Sequence, residues 1–519
     1  MKRSQLMSKL FTLSIVFFSF STFAQHGVCG LPGGHEDEIL IERLKANKRL
    51  VASNEFERSG STRYVGIVVH DIRASDNSGA IAPTRIYDMM CSVNDFYERN
   101  ESDIQFFLQD INVIRNNSAY TNHAGSGFGI LSSNRVAGFV NVYIPENANP
   151  NGPSPGGTVL GYYSPSSDWL VMRPGEINGF STTLHHELGH YLSLPHPFRG
   201  WDFEFYNEAS HGSQVGTFAP STGFGFNIRN EMEDGSNCSI AGDLICDTKP
   251  DYAHYSQGWG CNYSGGVLDP NGDEIDPDET NVMSYFGCSP ETFSPDQVDL
   301  MNADLTSRRN VSGLRRLNTV NSPTSSVGEF VDFISPLEDE TVNNNANILF
   351  DWEDVDNATS YLFEIDRIPS FVLQPQRYSS EESSFSYEDD ALILGLKYYW
   401  RVKPANGFDL CAEWSPTNSF IASPISSVNT ITGVNNFNVF PNPSQQGTSV
   451  NLNLESSISF QGNLEIISIS GVLVDIVDRI DFRQGKNTYG LNTSNLAPGV
   501  YFMKIVSENG TIQERFIVQ

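Results

Sequence analysis

Three histidines within one short run constrain this chain more than any other feature of its sequence. His186 and His190 stand four residues apart, and on a helix this spacing places both imidazoles on one face. His196 follows just after Pro195, which disfavours a helical conformation and predicts a turn. Three neutral nitrogen ligands leave one coordination position open, as a catalytic zinc ion requires. The run therefore predicts a helix, a turn and a zinc site, with Glu187 beside the ligands as a candidate general base.

The competing interpretation is an ordinary amphipathic helix that binds no metal. Chance produces this pattern, with a correctly placed third histidine, on the order of once in several thousand chains of this length. The zinc interpretation is therefore favoured. His185 points off the ligand face and is expected at the surface or behind the ligands.

The start of the chain is typical of an exported protein. Lys2, Arg3 and Lys9 precede an apolar run that begins at Leu10. This run ends in a small-residue cleavage site at Ala24. Residues 1–24 are therefore predicted to be a signal peptide. No later run is apolar and long enough to span a bilayer, so no transmembrane segment is expected in the mature form.

The charge of the chain narrows the range of partners. Its 32 basic and 62 acidic residues give a formal net charge of -30. A charge of this sign repels polyanions and favours divalent cations, so no nucleic-acid partner is expected.

Seven cysteines in an exported chain predict disulfides and at least one odd thiol. Four of them cluster after the histidine run, where two bridges are expected and three pairings are open: Cys238, Cys246, Cys261 and Cys288. Cys91 falls within a predicted helix, where a buried thiol is the expected outcome. Cys411 has no obvious partner in its own part of the chain.

Residues 25–60 are polar and charged, and they are interpreted as a short pro-segment rather than as part of a core, with a helix at Glu36–Arg49. Cys29 lies there in a turn-forming setting of glycines and a proline. A thiolate is a good zinc ligand, so Cys29 could occupy the open position and keep the protein latent. A disulfide with Cys91 and a lipid-anchored cysteine are the alternatives.

From Tyr64 onward, the pattern of apolar residues is that of an α/β domain. It predicts strands at Val65–Val69, Ile104–Ile114, Val140–Tyr143 and Trp169–Met172, and helices at Thr84–Tyr97 and Asn178–Leu192. Residues 197–237 are rich in glycine and aromatic residues without periodicity, and they are expected to form a long loop.

Two later segments are dense in the oxygen ligands that calcium prefers. The first holds Asp243, Asp247 and Thr248, and the second spans residues 269–276. The second lacks a glutamate at its twelfth position and is as well explained as a solvated acidic turn. The first segment is therefore the favoured calcium site.

The run Asn281-Val-Met283-Ser-Tyr285 completes a larger pattern. Together with His186–His196 it resembles the metzincin metallopeptidases, and most closely the pappalysin family. The resemblance also rests on the segment at residues 242–248 and on Phe293-Ser-Pro-Asp-Gln297, and it implies a catalytic domain over residues 61–325. Metzincins carry glycine where this chain has Ser193, and a left-handed serine there would cost about 1–2 kcal/mol.

The resemblance also implies roles for individual residues. Met283 would be the structural residue of the turn beneath the metal, and Tyr285 would stabilise the developing oxyanion. The segment from Asp243 to Thr248 is similar to the calcium loop of the family. Cys29-Gly-x-Pro is similar to the cysteine switch of latent metzincins, although the Pro-Arg that precedes that cysteine is missing.

These features together predict a secreted zinc-dependent endopeptidase that acts on protein or peptide substrates. A water activated by zinc, with a pKa near ~7, would attack the scissile carbonyl while Glu187 accepts its proton. The alternative, from another class, is an exported adhesin or binding protein whose zinc domain is not catalytic. Its zinc would need a fourth protein ligand, for which Cys29 is the only obvious candidate.

Two all-β domains are predicted to follow the catalytic domain. Residues 326–425 hold short alternating segments with aromatic residues such as Trp352 and Trp400, and they resemble a fibronectin type III module. Residues 436–519 resemble the C-terminal sorting domain of the type IX secretion system of Bacteroidetes-like bacteria. That resemblance implies contact with the type IX machinery, export to the medium or the cell surface, and removal of this domain. The expected fold class is thus an α/β (α+β) metzincin-like domain followed by two all-β domains.

Overall fold

The computed structural model is a mixed α/β structure with many strands and few helices. It describes residues 33–53, 56, 60–149, 159–253, 261–320, 325–330, 332–343, 348–372, 375–387, 392–393, 395–423, 431–468 and 472–519. The chain divides into two compact units. The first comprises the residues up to Ser326 together with Asn406–Cys411, and the second comprises Val327–Ala405 and Ala412–Gln519.

A five-stranded sheet forms the centre of the first unit. Its strands are β1 (Arg63–Arg73), β2 (Ile104–Arg115), β3 (Val140–Ile144), β4 (Gly161–Ser164) and β5 (Trp169–Met172), in the order β2-β1-β3-β5-β4. All neighbours are parallel except β4, which runs antiparallel to β5 at the edge. Eight successive residues of β1 are buried, which indicates that both faces of this central strand are covered. The four predicted strands are confirmed, whereas β4 was not predicted.

Seven α-helices lie in the described part of the first unit. They are α1 (His35–Val51), α2 (Pro83–Arg99), α3 (Asn117–Thr121), α4 (Phe128–Asn134), α5 (Thr183–Tyr191), α6 (Glu208–His211) and α7 (Pro295–Asn310). Local chemistry fixes several of their ends. Proline occupies the first turn of α2, and a capping box between Ser294 and Gln297 begins α7.

Helix α1 is part of the core of the first unit, contrary to the expectation of a leader outside the core. Leu40 and Leu44 are fully buried, and Asn47 donates to Asp304 of α7 at 3.0 Å. The helix itself was predicted from its periodicity. Its packing was not, because the short polar segment around it gave no sign of a partner.

The first part of the second unit is a sandwich of two sheets. One sheet has the order β10-β9-β12-β13-β7 and the other the order β11-β8-β6. Trp352 and Trp400 are fully buried between the sheets. The strands are β6 (Phe333–Ser335), β7 (Glu340–Asn343), β8 (Ile348–Trp352), β9 (Ser360–Asp366), β10 (Gln376–Ser380), β11 (Ser384–Tyr387), β12 (Lys397–Ala405) and β13 (Asn418–Ser423).

The C-terminal part of the second unit is also all-β. Its sheets have the orders β14-β15-β18 and β17-β16-β19-β20, and alternate residues such as Val450, Leu452 and Leu454 point into a shared core. The strands are β14 (Val434–Phe440), β15 (Ser449–Ser456), β16 (Phe460–Ser468), β17 (Leu473–Phe482), β18 (Gly485–Asn492), β19 (Gly499–Ser507) and β20 (Gly510–Val518).

A disulfide joins Cys91 of α2 to Cys411. The prediction of a buried free thiol at Cys91 is therefore wrong, and so is the alternative disulfide between Cys91 and Cys29. The loop that carries Cys411 packs in the first unit, where the Phe408 ring stacks on Phe107 with ring centroids 4.3 Å apart. This pairing spans 320 residues of sequence, and no local pattern signals it.

Candidate metal centre

Helix α5 begins five residues later than the sequence predicts. Asn178 accepts hydrogen bonds from the amides of Phe180 and Ser181, and the Ser181 hydroxyl accepts one from the amide of Thr183. These local side-chain bonds form a turn in place of a first helical turn. The helix that remains is short, but it contains both His186 and His190.

The three predicted zinc ligands converge on one point. The Nε2 atoms of His186 and His190 each lie 3.1 Å from Nε2 of His196. Zinc–nitrogen bonds of about 2.0–2.1 Å in tetrahedral geometry would separate such atoms by about 3.3–3.4 Å. Among the described residues, these three side chains are the one group of His, Cys, Asp or Glu with ligand atoms close enough to hold a metal ion together.

Each ligand ring is oriented by a hydrogen bond from its other nitrogen. Nδ1 of His186 donates to the Val282 carbonyl at 2.8 Å, and Nδ1 of His190 donates to the Leu194 carbonyl at 2.6 Å. A carbonyl only accepts, so Nδ1 carries the proton in both rings, and the Nε2 lone pairs are directed at the common centre.

The third ligand is oriented by a carboxylate instead of a carbonyl. Nδ1 of His196 lies 2.6 Å from Oδ1 of Asp202, and the other oxygen of Asp202 accepts from the Gly200 amide. A carboxylate in this position fixes the ring of the ligand and its orientation. Asp202 was not singled out in the sequence, because it lies six positions after His196 in a loop without periodicity.

Burial keeps the imidazoles of His186 and His190 neutral. It lowers the pKa of His186 to about 3, and it lowers the pKa of His190 well below its usual value. The neighbouring histidine rings are a second cause that acts in the same direction on both pKa values. Neutral imidazole is the form that binds a metal ion, so the electrostatics of the pocket match the geometry.

Glu187 lies between His186 and His190 on α5, and Met283 and Tyr285 lie close to the segments that carry the ligands. Glu187 is fully buried on α5, and Met283 is fully buried beneath that helix. A Cβ atom on Gly189 would lie 2.4 Å from Sδ of Met283, so the two segments touch where the glycine leaves room. The partly exposed Tyr285 ring has its centroid 5.0 Å from that of His196.

His185 does not lie at the surface. It is 3% exposed, and its ring stacks on Phe96 of α2 with centroids 4.7 Å apart. Its Nε2 lies 3.4 Å from the Ser92 hydroxyl. The residue therefore packs α5 against α2 behind the metal ligands.

The structure separates the residues of the predicted calcium segment. The Thr248 hydroxyl lies 3.0 Å from Oδ2 of Asp243, so these two residues share one site. The carboxylate of Asp247 instead accepts from the Ser294 hydroxyl at 2.7 Å and from the Asp296 amide at 2.8 Å, at the start of α7.

Glu231 joins Asp243 in this buried site. Burial raises the pKa of Asp243 to about 7, and burial together with the Asp243 charge raises the pKa of Glu231 to about 9. Within the described part of the chain, Oε2 of Glu231 has no hydrogen-bond partner. Buried carboxylate oxygens of this kind suit a hard cation such as calcium. Glu231 lies in the long loop, where the sequence offers no signal.

The cluster of four cysteines forms two bridges, as predicted. Cys238 pairs with Cys246, and Cys261 pairs with Cys288, which selects one of the three pairings left open by the sequence. Cys29 lies outside the described residues.

Comparisons with known proteins assign the C-terminal end of the chain. Residues 438–519 match the family described as "Secretion system C-terminal sorting domain". They are a sorting domain of the type IX secretion system, which implies contact with that machinery and export to the medium or the cell surface. No helix within the described residues is long and apolar enough to cross a membrane. No curated protein matches the chain.

Three solved structures resemble a part of the chain. Chicken CNTN1 FN1-FN3 domains align over 37% of this chain and 66% of that one, with 10% identity and a TM-score of 0.19. Alpha-L-rhamnosidases from Dictyoglumus thermophilum and Streptomyces avermitilis align over 37% of this chain, with 13% and 14% identity and TM-scores of 0.17 and 0.16. This chain covers 29% and 24% of those two enzymes, and less than two thirds of each of the three structures. Scores this low assign no fold.

Proposed function

We propose that the first unit is a secreted zinc-dependent endopeptidase, similar to the pappalysin group of metzincins. The observation that carries the proposal is the convergence of three Nε2 atoms, each on a ring oriented through Nδ1, with Glu187 on the same helix. Closed structural zinc sites use four protein ligands. The group found among the described residues has three, which favours a catalytic site.

The side chains around the site divide the chemistry between them. Zinc bound to the three imidazoles would lower the pKa of a water to about 7 and polarise a peptide carbonyl. Glu187 would take a proton from the attacking water and return it to the leaving amide nitrogen. The Tyr285 hydroxyl would donate to the carbonyl oxygen as that atom gains charge, a contribution of about 3 kcal/mol for one donor.

The proposal is tested with the chain from residue 25 to residue 519, both unaltered and as Glu187→Ala. We expect each protein to bind one zinc ion, measured by elemental analysis, and only the unaltered protein to cleave casein. A chelator should abolish the cleavage, and added zinc should restore it. Cleavage that survives in Glu187→Ala would remove the proposed mechanism.

The same experiment distinguishes the proposed enzyme from an exported adhesin with a non-catalytic zinc domain. A Cys29→Ala form is included, because an enzyme kept latent by Cys29 would also fail to cleave casein. Zinc binding without cleavage of casein or of a peptide library, in both the unaltered and the Cys29→Ala forms, would favour the adhesin.

Latency through Cys29 remains a prediction from the sequence. Gly33 and His196 line the same small cavity, and Cys29 precedes Gly33 by four residues, a reach of at most about 14 Å. We expect Cys29→Ala to shorten the lag before casein cleavage begins. An unchanged lag would count against the switch.

We also propose a structural calcium ion held by Glu231, Asp243 and Thr248. The support is the unpartnered buried oxygen of Glu231 beside a second buried carboxyl. Asp247, which the sequence includes among the ligands, has its carboxylate at the start of α7.

A further inference from the structure

A cleft in the first unit carries charge opposite to that of the chain as a whole. Its volume is about 600 Å³, and its walls are α1 and the loops around residues 218–229 and 239–244. The chain has 62 acidic and 32 basic residues, yet the described residues that line this cleft include five basic side chains and no carboxylate. The five are Lys45, Lys48, Arg49, Arg199 and Arg229.

Two of these cations form ion pairs with carboxylates of the protein. The Lys45 ammonium lies 2.9 Å from Glu42 on the exposed side of α1. The Arg199 guanidinium lies 2.7 Å from Asp37, and both side chains are almost completely buried. Neither cation is therefore the main attraction for a ligand.

The rim of the cleft holds the remaining charge. Lys48 donates to the Leu244 carbonyl and faces the buried carboxyl of Asp243. Burial raises the pKa of Asp243, and the Lys48 charge partly opposes this increase. Arg49 and Arg229 are both exposed at the rim. These two guanidinium groups are the ones on which an anionic ligand would depend.

Apolar side chains lie next to the rim cations. Phe218 is 47% exposed and Ile240 is 64% exposed, although both are large hydrophobic residues. The Arg229 guanidinium lies 5.1 Å from the centroid of the Phe218 ring. A concave site that combines exposed apolar surface with a few charged groups is typical of ligand binding, and its ligand would pair an apolar side chain with carboxylates.

We propose that this cleft binds an acidic peptide segment that carries a bulky apolar side chain. A nucleic acid or an anionic bilayer extends far beyond a cleft of this size and would meet the acidic surface of the rest of the chain. A peptide of a few residues fits within the cleft. At physiological salt, charges more than about 8 Å away are largely screened, so acidic residues at such distances oppose binding only weakly.

Binding is measured by fluorescence anisotropy with a labelled, blocked hexapeptide of sequence EDFDEL. The protein is the chain from residue 25 to residue 519 with Glu187→Ala, so that cleavage cannot alter the probe. We expect the amide analogue QNFNQL and the analogue EDADEL both to bind more weakly. Reversing the rim charges with Arg49→Glu and Arg229→Glu should weaken EDFDEL binding about tenfold, and raising the salt concentration should weaken binding to the parent protein.

Arg115→Glu is the matched control, because Arg115 is an exposed cation of the same unit that does not line the cleft. Its affinity for EDFDEL should equal that of the parent, and melting curves should show all variants folded. The proposal is overturned if EDFDEL does not bind, or if the rim variant binds it undiminished. Equal affinity for a single-stranded oligonucleotide of the same charge would overturn the assignment to a peptide.

Discussion

Ser193 occupies the turn between the second and third histidine ligands. Its φ of 76° lies in the left-handed region, which costs a non-glycine residue about 1–2 kcal/mol. Its hydroxyl donates to the buried carboxylate of Asp304, and a hydrogen bond to a charged group contributes about 1.5–3 kcal/mol. The hydroxyl thus offsets the strain of the backbone, which explains how a serine is accommodated at this left-handed position.

We expect Ser193→Ala to destabilise the metal-free first unit by about 1.5–3 kcal/mol, because the hydrogen bond is lost and the strain remains. Ser193→Gly should lose about 1 kcal/mol less, because glycine adopts the left-handed conformation freely. Chemical unfolding followed by fluorescence compares the two. Equal losses would show that the backbone of Ser193 is not strained.

Gly189 lies where α5 touches the turn that contains Met283. Gly189→Ala would place a Cβ atom 2.4 Å from Sδ of Met283, so the fully buried Met283 side chain must move. We expect this to displace the turn as well, together with the Val282 carbonyl that orients His186. We expect a loss of stability of about 1–3 kcal/mol and weaker zinc binding in competition with a chelator. Gly129→Ala is the control, because nothing lies within 4 Å of its added Cβ, and its zinc affinity should not change.

At the scale of elements, α1 is fixed to the loop of the third ligand by a buried ion pair. Both carboxylate oxygens of Asp37 accept from Arg199, which lies three residues after His196. Asp37→Ala would leave the buried guanidinium without its carboxylate and should destabilise the first unit by about 3–5 kcal/mol.

The double variant Asp37→Ala with Arg199→Met serves as the control for this ion pair. It should recover part of the loss, because no uncompensated charge remains buried. Melting temperatures of the single and double variants are the measurement. Strictly additive losses would mean that the pair does not act as a unit.

The loop around Asp243 gives a second prediction at this scale. Calcium at about 100 times its dissociation constant should stabilise the folded protein by about 2.7 kcal/mol, seen as a rise in melting temperature. Glu231→Gln should reduce that rise. Asp247→Asn should lower the melting temperature equally with and without calcium, because its carboxylate lies at the start of α7. An undiminished rise in Glu231→Gln would remove Glu231 from the site.

The sequence predicts those features that depend on neighbours along the chain. The strand at Trp169–Met172 and the helical spacing of His186 and His190 follow from local periodicity, and the structure has both. Asp202 and Glu231 could not be predicted, because each reaches its site through a loop without periodicity. The packing of α1 and the partner of Cys91 depend on contacts between distant segments, which no local pattern records.

At the scale of the whole molecule, the Cys91–Cys411 bond predicts the behaviour of a cut chain. A single cut between residues 326 and 333 divides the backbone, but Cys91 and Cys411 lie on opposite sides of the cut. We expect one band on a non-reducing gel and two bands after reduction. Cys411→Ser should give two bands under both conditions, and two bands from the unaltered oxidised protein would show that the bond does not form in solution.

The position of Cys411 also sorts the possible cuts into two kinds. A cut after β13 releases the sorting domain, since residues 431–519 contain no cysteine. A cut between residues 326 and 411 releases nothing from an oxidised chain. An enzyme of the proposed kind meets its own copies after export. If one copy cut another between residues 326 and 411, the Cys91–Cys411 disulfide would still hold the two fragments together.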